Sequence, residues 1–496
     1  VKTWRNELNI TLLFWALFGA IFVLNNGLVT INLRPQATHV WRQTDCASYA
    51  LNYYQNSQPF FEPQTHTLSG LNGHAVSEFP LIYYIAGKLY HIAGPKEGII
   101  RAIDFFLFLL GCTCLLWLGF ILLDNKLLAL IPPLIAITSP YLFYYALNFL
   151  PDVPAFSLAM TGCFLMFLYF RTRRLRWVYL SAASFCVAML LKVSAGISFF
   201  AIAAAVLLSR EIRITISRKH KIHLCVLFAG ASLIQLAWIE FARHYNEVNG
   251  TGQNLLGLYP MWDAPKEEMM LILKRFWHEW RLVIFHAVGW IWIAFIGCII
   301  ALKRKMLSRF IQAIVLFNLL GIVAYSVCWF RAYQDHDYYM INPFIAIIWM
   351  LLAACIIIDK AGIKARKVFV SLFVFVFIVS AIHSRHVQWG RYHNPHYISV
   401  NPDYFTVEPY LRSIGISRQD RVVSLPDLSP NITLYLMNQQ GWTEFNDINN
   451  HQERTMQSGV KYLIISDTNY LHWDFCRKHL GDSVSKYKSI YIYKIK

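Results

Sequence analysis

Ionisable side chains stand at several points where apolar segments of this sequence give way to polar ones. Asp45 closes the stretch VWRQTD at 40–45, Glu78 is the second residue of SEFPLIYY, Asp152 stands in NFLPDVPAF beside two prolines, and Lys192 lies in LKVSAGIS, an interruption of a long apolar stretch. Arg331, Asp335, His336 and Asp337 cluster in FRAYQDHDYY. Carboxylates can move protons, and charges close to hydrocarbon are costly and tend to be functional. Each residue also has a plain structural reading. Asp45 and Asp152 could each cap a helix, Glu78 could pair with an arginine, and Lys192 could snorkel to an interface. His336 between two acids could hold a metal or simply hydrogen-bond within its loop. The combination says more than any member.

The elements that must position these groups are membrane helices. Of 496 residues, 56% are hydrophobic, 16% aromatic and only 15% charged, far from the composition of soluble domains. A span needs roughly 20 apolar helical residues. The runs 10–31, 99–123, 127–149, 153–170, 222–241, 282–302, 310–330, 338–358 and 368–383 all qualify. A further apolar stretch between Trp177 and Leu208 is broken at LKVSAGIS and flanked on both sides by basic clusters. Two short helices, out and back, fit it better than one span, which gives about eleven crossings.

Basic residues fix the orientation. Lys2 and Arg5, Arg171 to Arg176, Arg210 to Lys221, Lys303 to Lys305, and Lys360 to Lys367 all fall on one side, as cytoplasmic loops require. The net charge of +17 is thus mainly a topology signal. Spread over many short loops, it forms no single face for nucleic acid. The N-terminal span shows no small-residue cleavage site after it and reads as a retained helix.

This topology puts a long first loop (32–98), the turn at 148–152, the loop at 242–281 and the tail from 384 on the outer side, with Asp45 close to the bilayer surface. DCASYALNYYQ and PLIYYIAGKLYHI predict two interfacial helices, with Asp45 just before the first and Glu78 at the start of the second. In the tail, RVVSLPD, VKYLIISD and SIYIYKI predict strands and ITLYLMNQQ a helix. The expected organisation is therefore an α-helical polytopic membrane part over 1–383 and a small C-terminal α/β domain over 384–496 that covers the membrane part or helps hold an acceptor. None of the ten cysteines forms a CxxC pair, and no disulfide or zinc framework is implied.

VWRQTDCASYALNYY, SEFPLIYYIAGKLY, NFLPDVPAFSLAMTGCFLMFLYF, LLKVSAG and DHDYYMINPF, in this order over residues 10 to 358, resemble the GT-C type integral membrane glycosyltransferases, in particular the bacterial family 39 and 83 relatives of protein O-mannosyltransferases and of the lipid A aminoarabinose transferase. The resemblance implies a GT-C fold with interfacial helices in the first outer loop, in a bacterial cytoplasmic membrane with the active site facing the periplasm. It implies inverting transfer of a sugar from a polyprenyl-phosphate donor to a lipid, glycan or protein acceptor. Asp45 matches the family's first-loop catalytic aspartate, the natural base for the acceptor hydroxyl, and Asp152 matches its second acidic position. Glu78 matches an E-x-P glutamate that contacts a metal in one relative. No second ligand can be placed here, so a divalent metal is left open as a cofactor. Lys192, then Arg331 and His336, then Arg42, are the candidates to hold the donor phosphate. Only about 40 residues separate the spans near 242 and 281, which leaves no room for the central domain of eukaryotic protein mannosyltransferases.

The alternative is a polytopic transporter or flippase of a lipid-linked or polar envelope substrate. It would show repeated halves and broken helices at mid-membrane. The sequence has no internal repeat, and its acids lie at one face. A scaffold or receptor would not need so many ionisable groups on one set of loops.

Overall fold

The structure, a computed structural model, describes residues 2–251, 257–397 and 400–496, with side chains described for all of these except residues 2–4, 396 and 454. The side chain of Lys2 and the parts of the expected outer regions at 252–256 and 398–399 lie outside the described residues. The chain forms two compact units. The first comprises Val1–Ile31, Arg101–Ile239 and Gly257–Gly390, and the second Asn32–Ile100, Glu240–Leu256 and Arg391–Lys496. This division by compactness groups the first loop with the tail, whereas a division in chain order falls at 383.

The first unit is helical because backbone groups in hydrocarbon must be satisfied within their own segment. Among the described residues, eight helices are long and apolar enough to cross a membrane: Arg5–Leu24, Gly98–Leu122, Asp152–Thr172, Arg218–Val248, Ala287–Met306, Arg309–Cys328, Asp337–Lys360 and Ile363–His393. The expected span at 127–149 is a helix pair, Lys126–Thr138 and Pro140–Ala146, bent by 70°. Pro140 causes the bend. It cannot donate to the helix before it, and it pushes Ser139 to an extended conformation (φ −67°, ψ 116°). The interrupted stretch is two shorter apolar helices, Leu175–Leu191 and Gly196–Leu208, as the sequence predicts. The chain is thus a multi-pass membrane protein.

Three packings bear on the site. Asp152–Thr172 lies along Leu175–Leu191, and Gly196–Leu208 lies along Arg309–Cys328. Gly111 of the Gly98–Leu122 helix sits against Ser157, where a Cβ would come within 2.6 Å of the Ser157 Cα. This close approach of two helices is what small residues allow in a membrane.

The second unit is built on a five-stranded sheet: β1 (Arg421–Leu425), β2 (Gly441–Thr443), β3 (Val460–Ile465), β4 (Leu480–Tyr487) and β5 (Ile490–Ile495), in the order β2-β1-β3-β5-β4. β2, β1 and β3 run parallel, β5 pairs antiparallel with β3, and β4 pairs antiparallel with β5. β1 is buried at all but its first residue and β3 at all but Lys461 and Tyr462, as parallel strands largely covered on both faces should be. The first loop joins the sheet at its β2 edge. Thr67 bridges Gly441, Leu68 N donates to Gly441 O (2.8 Å) and Gly441 N donates to His66 O (3.1 Å). Gly441 is required there, because a Cβ would meet the Val422 carbonyl at 1.9 Å. Leu68 packs into the domain's core with Val423, Leu425, Trp442 and Phe475. The loop also carries the two expected helices, Val40–Gln55 and Leu81–Ala93.

Candidate active site

The first helix of the loop begins at Val40, so Asp45 lies in its second turn, where the sequence places it ahead of the helix. The correction has a local cause. The Gln43 side chain donates to the carbonyls of Gln36 (2.7 Å) and Thr38 (2.9 Å), which ties the incoming loop to the first turn. Two residues of that loop, Ala37 (φ 65°) and His39 (φ 58°), hold left-handed backbone conformations, which side-chain-bearing residues rarely adopt. Asp45 is consequently not a cap. It shares a helix face with Trp41 and Arg42, four and three residues before it.

The Asp45 carboxylate is half-buried and accepts hydrogen bonds from the side chains of Asn431 and Trp41. Burial pushes its pKa up to about 7, against the Arg42 charge and these two bonds, which pull it down; the nearby Asp427 carboxylate adds to the rise. Asn431 is itself anchored to the helix, its Nδ2 donating to Thr44 O at 3.3 Å. Arg42 donates to the Glu78 carboxylate and to Ser77 Oγ (2.7 Å). Glu78 precedes the helix starting at Leu81 by three residues and does not begin it. Asp45, Arg42 and Glu78 therefore form one chain of contacts within the second unit. Among the described residues, no group of three or more His, Cys, Asp or Glu side chains is placed to hold a metal ion. Glu78 is engaged by an arginine and a serine, so the residues present do not fit a metal at this glutamate.

In the first unit, Asp152 opens its helix with 1% exposure, and Lys192 Nζ lies 3.3 Å from its Oδ1. Lys192 sits at the break, in extended conformation (φ −155°, ψ 116°), between the end of Leu175–Leu191 and the short 3-10 turn Val193–Ala195. Its ammonium also faces the rings of Tyr338 and Tyr339, at 5.1 and 4.6 Å from their centroids. His336 stacks against the same two rings at 5.3 and 5.9 Å. Asp337 is tied down by Tyr145 and Tyr141. Lys192, Asp152 and His336 are thus gathered around one tyrosine pair. Arg331 is placed otherwise, its Nε donating to both Glu268 oxygens at 2.9 and 3.2 Å, and Asp335 pairs with Arg275 at 2.8 Å.

Two charged residues were not singled out from the sequence. Asp104 and Arg101 are both fully buried, one helical turn apart in the Gly98–Leu122 helix, and the charges that reach Asp104 are those of Arg101 and Asp152. Their signal was available, for two ionisable residues inside an apolar span are a site hypothesis in themselves. Beside this cluster, an apolar cavity of about 520 Å³ runs between Gly196–Leu208 and Arg309–Cys328. Its lining starts at Val193 and Ser194, directly after Lys192, and continues along Ile197, Phe200, Leu320 and Tyr325.

With helices, sheet and site in view, the likeness to solved proteins is informative. The chain shares its fold with ArnT from Cupriavidus metallidurans in the apo state, at TM-score 0.63 and 11% identity over 98% of both chains. It is also similar to the arabinofuranosyltransferase AftD from Mycobacteria, at TM-score 0.56 and 13% identity over 97% of this chain and 40% of that one. A third likeness is to the oligosaccharyltransferase AglB from Archaeoglobus fulgidus in complex with an inhibitory peptide and a dolichol-phosphate, at TM-score 0.53 and 10% identity over 95% of this chain and 72% of that one. The architecture is the GT-C fold. The family model described as dolichyl-phosphate-mannose-protein mannosyltransferase matches residues 74–238, a stretch that holds Glu78, Asp152 and Lys192. No curated protein matches the sequence. The family match is confined to residues 74–238 and the structural likeness bears on the fold, so together they establish a multi-pass membrane protein with the GT-C fold.

The Asp152–Lys192 pair generates a prediction. Removing one partner of a buried pair typically costs about 3–5 kcal/mol, because the other charge is left uncompensated. Lys192→Met should therefore lower the melting temperature in detergent markedly, and the double variant Lys192→Met with Asp152→Leu should recover most of the loss. A double variant no more stable than the single one would show that the two charges do not compensate each other.

Proposed function

We propose that the protein is an inverting glycosyltransferase that moves a sugar from a polyprenyl-phosphate donor to a hydroxyl of an envelope acceptor. The observation that carries this reading is Asp45, a carboxylate whose surroundings bring it to about pKa 7, where a general base is most effective. Asp45 takes the proton of the acceptor hydroxyl as its oxygen bonds to the anomeric carbon, on the side opposite the phosphate. The bond from that carbon to the phosphate oxygen breaks, and the polyprenyl phosphate leaves with the electron pair. Arg42, held by Glu78, is a positioning residue that sets the pKa of the base.

Lys192 compensates the donor phosphate, oriented by Asp152, with His336 on the same tyrosine pair as a second donor. Arg331 ranks after them because Glu268 already matches its charge. The 520 Å³ apolar cavity that begins beside Lys192 suits an isoprenoid segment, whose head group then falls at the ammonium. A lipid-phosphate donor agrees with the dolichol-phosphate named for the AglB complex. The basic loops support an orientation in the cytoplasmic membrane with Asp45 outside.

Two experiments test this. Purified protein in detergent, given labelled polyprenyl-phosphate sugars and envelope extract, should move label into a lipid, glycan or protein fraction, and Asp45→Asn should reduce transfer by about 10²–10⁴-fold, the range for a general base. Full activity in that variant would sink the base assignment. The pH profile is the second test. Because the base works only when ionised, kcat/KM should fall as pH drops through about 7. Arg42→Gln removes the charge that lowers the Asp45 pKa, so the midpoint should move to higher pH; a midpoint that stays or moves down would contradict the coupling.

A further inference from the structure

The second unit contains a cavity of about 610 Å³ that the reading above does not use. It opens at the carboxyl ends of β1 and β3, lined by Asp427 and Ser429 after the first strand and by Ser466 directly after the second. In this sheet the chain leaves β1 toward β2 on one side and returns past it to β3 on the other. That reversal of winding is where open α/β sheets form a ligand crevice, since the two connections diverge and leave a gap. The opposite wall comes from the first loop, through residues 37–41 ahead of and within the first turn of the Val40–Gln55 helix.

Trp41 links this crevice to the base. It lines the cavity, is 39% exposed, and is fixed by a perpendicular contact with Phe445 at 5.0 Å and by the bond from its side chain to Asp45. Being four residues before Asp45, it stands just over one helical turn, about 6 Å, from it along the axis. A molecule resting on Trp41 is therefore within reach of the carboxylate. The lining also specifies chemistry. Among the described residues it contains no lysine or arginine, His39 being its one basic group, and it carries the Asp427 carboxylate, which repels a phosphate or nucleotide; the sequence has no Gly-rich loop there. What it offers is aromatic rings, from Trp41 and Tyr397, among hydroxyl and amide groups such as Ser429, Ser466 and Asn401. An amphipathic aromatic surface rimmed by short neutral polar groups suits an uncharged polyol ring.

We propose that this crevice is the acceptor seat of the enzyme and that it takes an uncharged sugar residue, so that the acceptor is a glycan or glycan-bearing molecule. The proposal rests on Asp45 being the base that receives the acceptor proton. A cavity of this size holds one or two sugar rings, enough to fix the orientation of the terminal one.

Saturation-transfer NMR on the full chain in detergent, with a panel of neutral methyl glycosides of hexoses and pentoses and with inorganic phosphate as a competitor, tests it. At least one glycoside should bind, and phosphate should not displace it. Trp41→Ala, which removes the ring, and Ser466→Phe, which fills the gap, should each weaken binding by about tenfold or more, the size expected when an aromatic anchor is lost. Absence of glycoside binding, displacement by phosphate, or binding indifferent to both substitutions would overturn the proposal. Asp45→Asn separates the two readings. It should keep glycoside binding while losing transfer, whereas retained transfer with intact binding would remove the base and leave the crevice.

Discussion

A carboxylate at the head of an apolar helix, with 1% of its surface exposed, keeps its charge only if a cation reaches it, and Lys192 reaches Asp152 because its own helix stops. Had the helix run on through Lys192, the side chain would follow the helical face; the extended backbone at that residue redirects it toward Asp152 and the two tyrosines. The break is then not a flaw in a span. It accounts for the division of one apolar stretch into two short helices, and it sets the head of the apolar cavity beside an ammonium group. The pair extends to Asp104 and Arg101, giving two acids and two bases that polarise one another in a poorly screened interior.

Asp45 is held by a different balance. Its helix face brings one arginine and one indole to it and Asn431 brings an amide, which together hold the carboxylate without offsetting the rise that burial causes. Glu78 takes part of the charge of Arg42 for itself. An unshared arginine would stabilise the ionised aspartate further and make it a weaker base.

Much of this was legible in the sequence, for reasons that can be named. Spans are legible because hydrocarbon imposes a length and a composition, and Lys192 stood out because a charge interrupts one of them. β1, β3 and β5 are legible as β-branched apolar runs, whereas β4 is polar and mostly exposed and β2 is three residues long, so neither carries a periodic signal. The start of the first loop helix was hidden because His39 and Ala37 take left-handed conformations that their residue types do not announce. Asp104 and Arg101 were visible but masked by the hydrophobicity of their window. The crevice and the distant partners of Asp45 could not be read at all, for Asn431 and Asp427 lie almost 400 residues away along the chain, and only the fold brings them near.

Those distant partners bear on what the C-terminal sheet is for. A domain that merely covered the membrane part would have no reason to place Asn431 on the helix of Asp45 or to set the Asp427 carboxylate where it raises the pKa of Asp45. Asp427 is spent locally as well, accepting from the backbone N and hydroxyl of both Ser429 and Thr433, and so it fixes the loop that follows β1. The same loop thus lines the crevice and reaches Asp45. Joined to the first loop through Gly441 and Leu68, the sheet holds Asn431 and Asp427 beside the helix that carries Asp45.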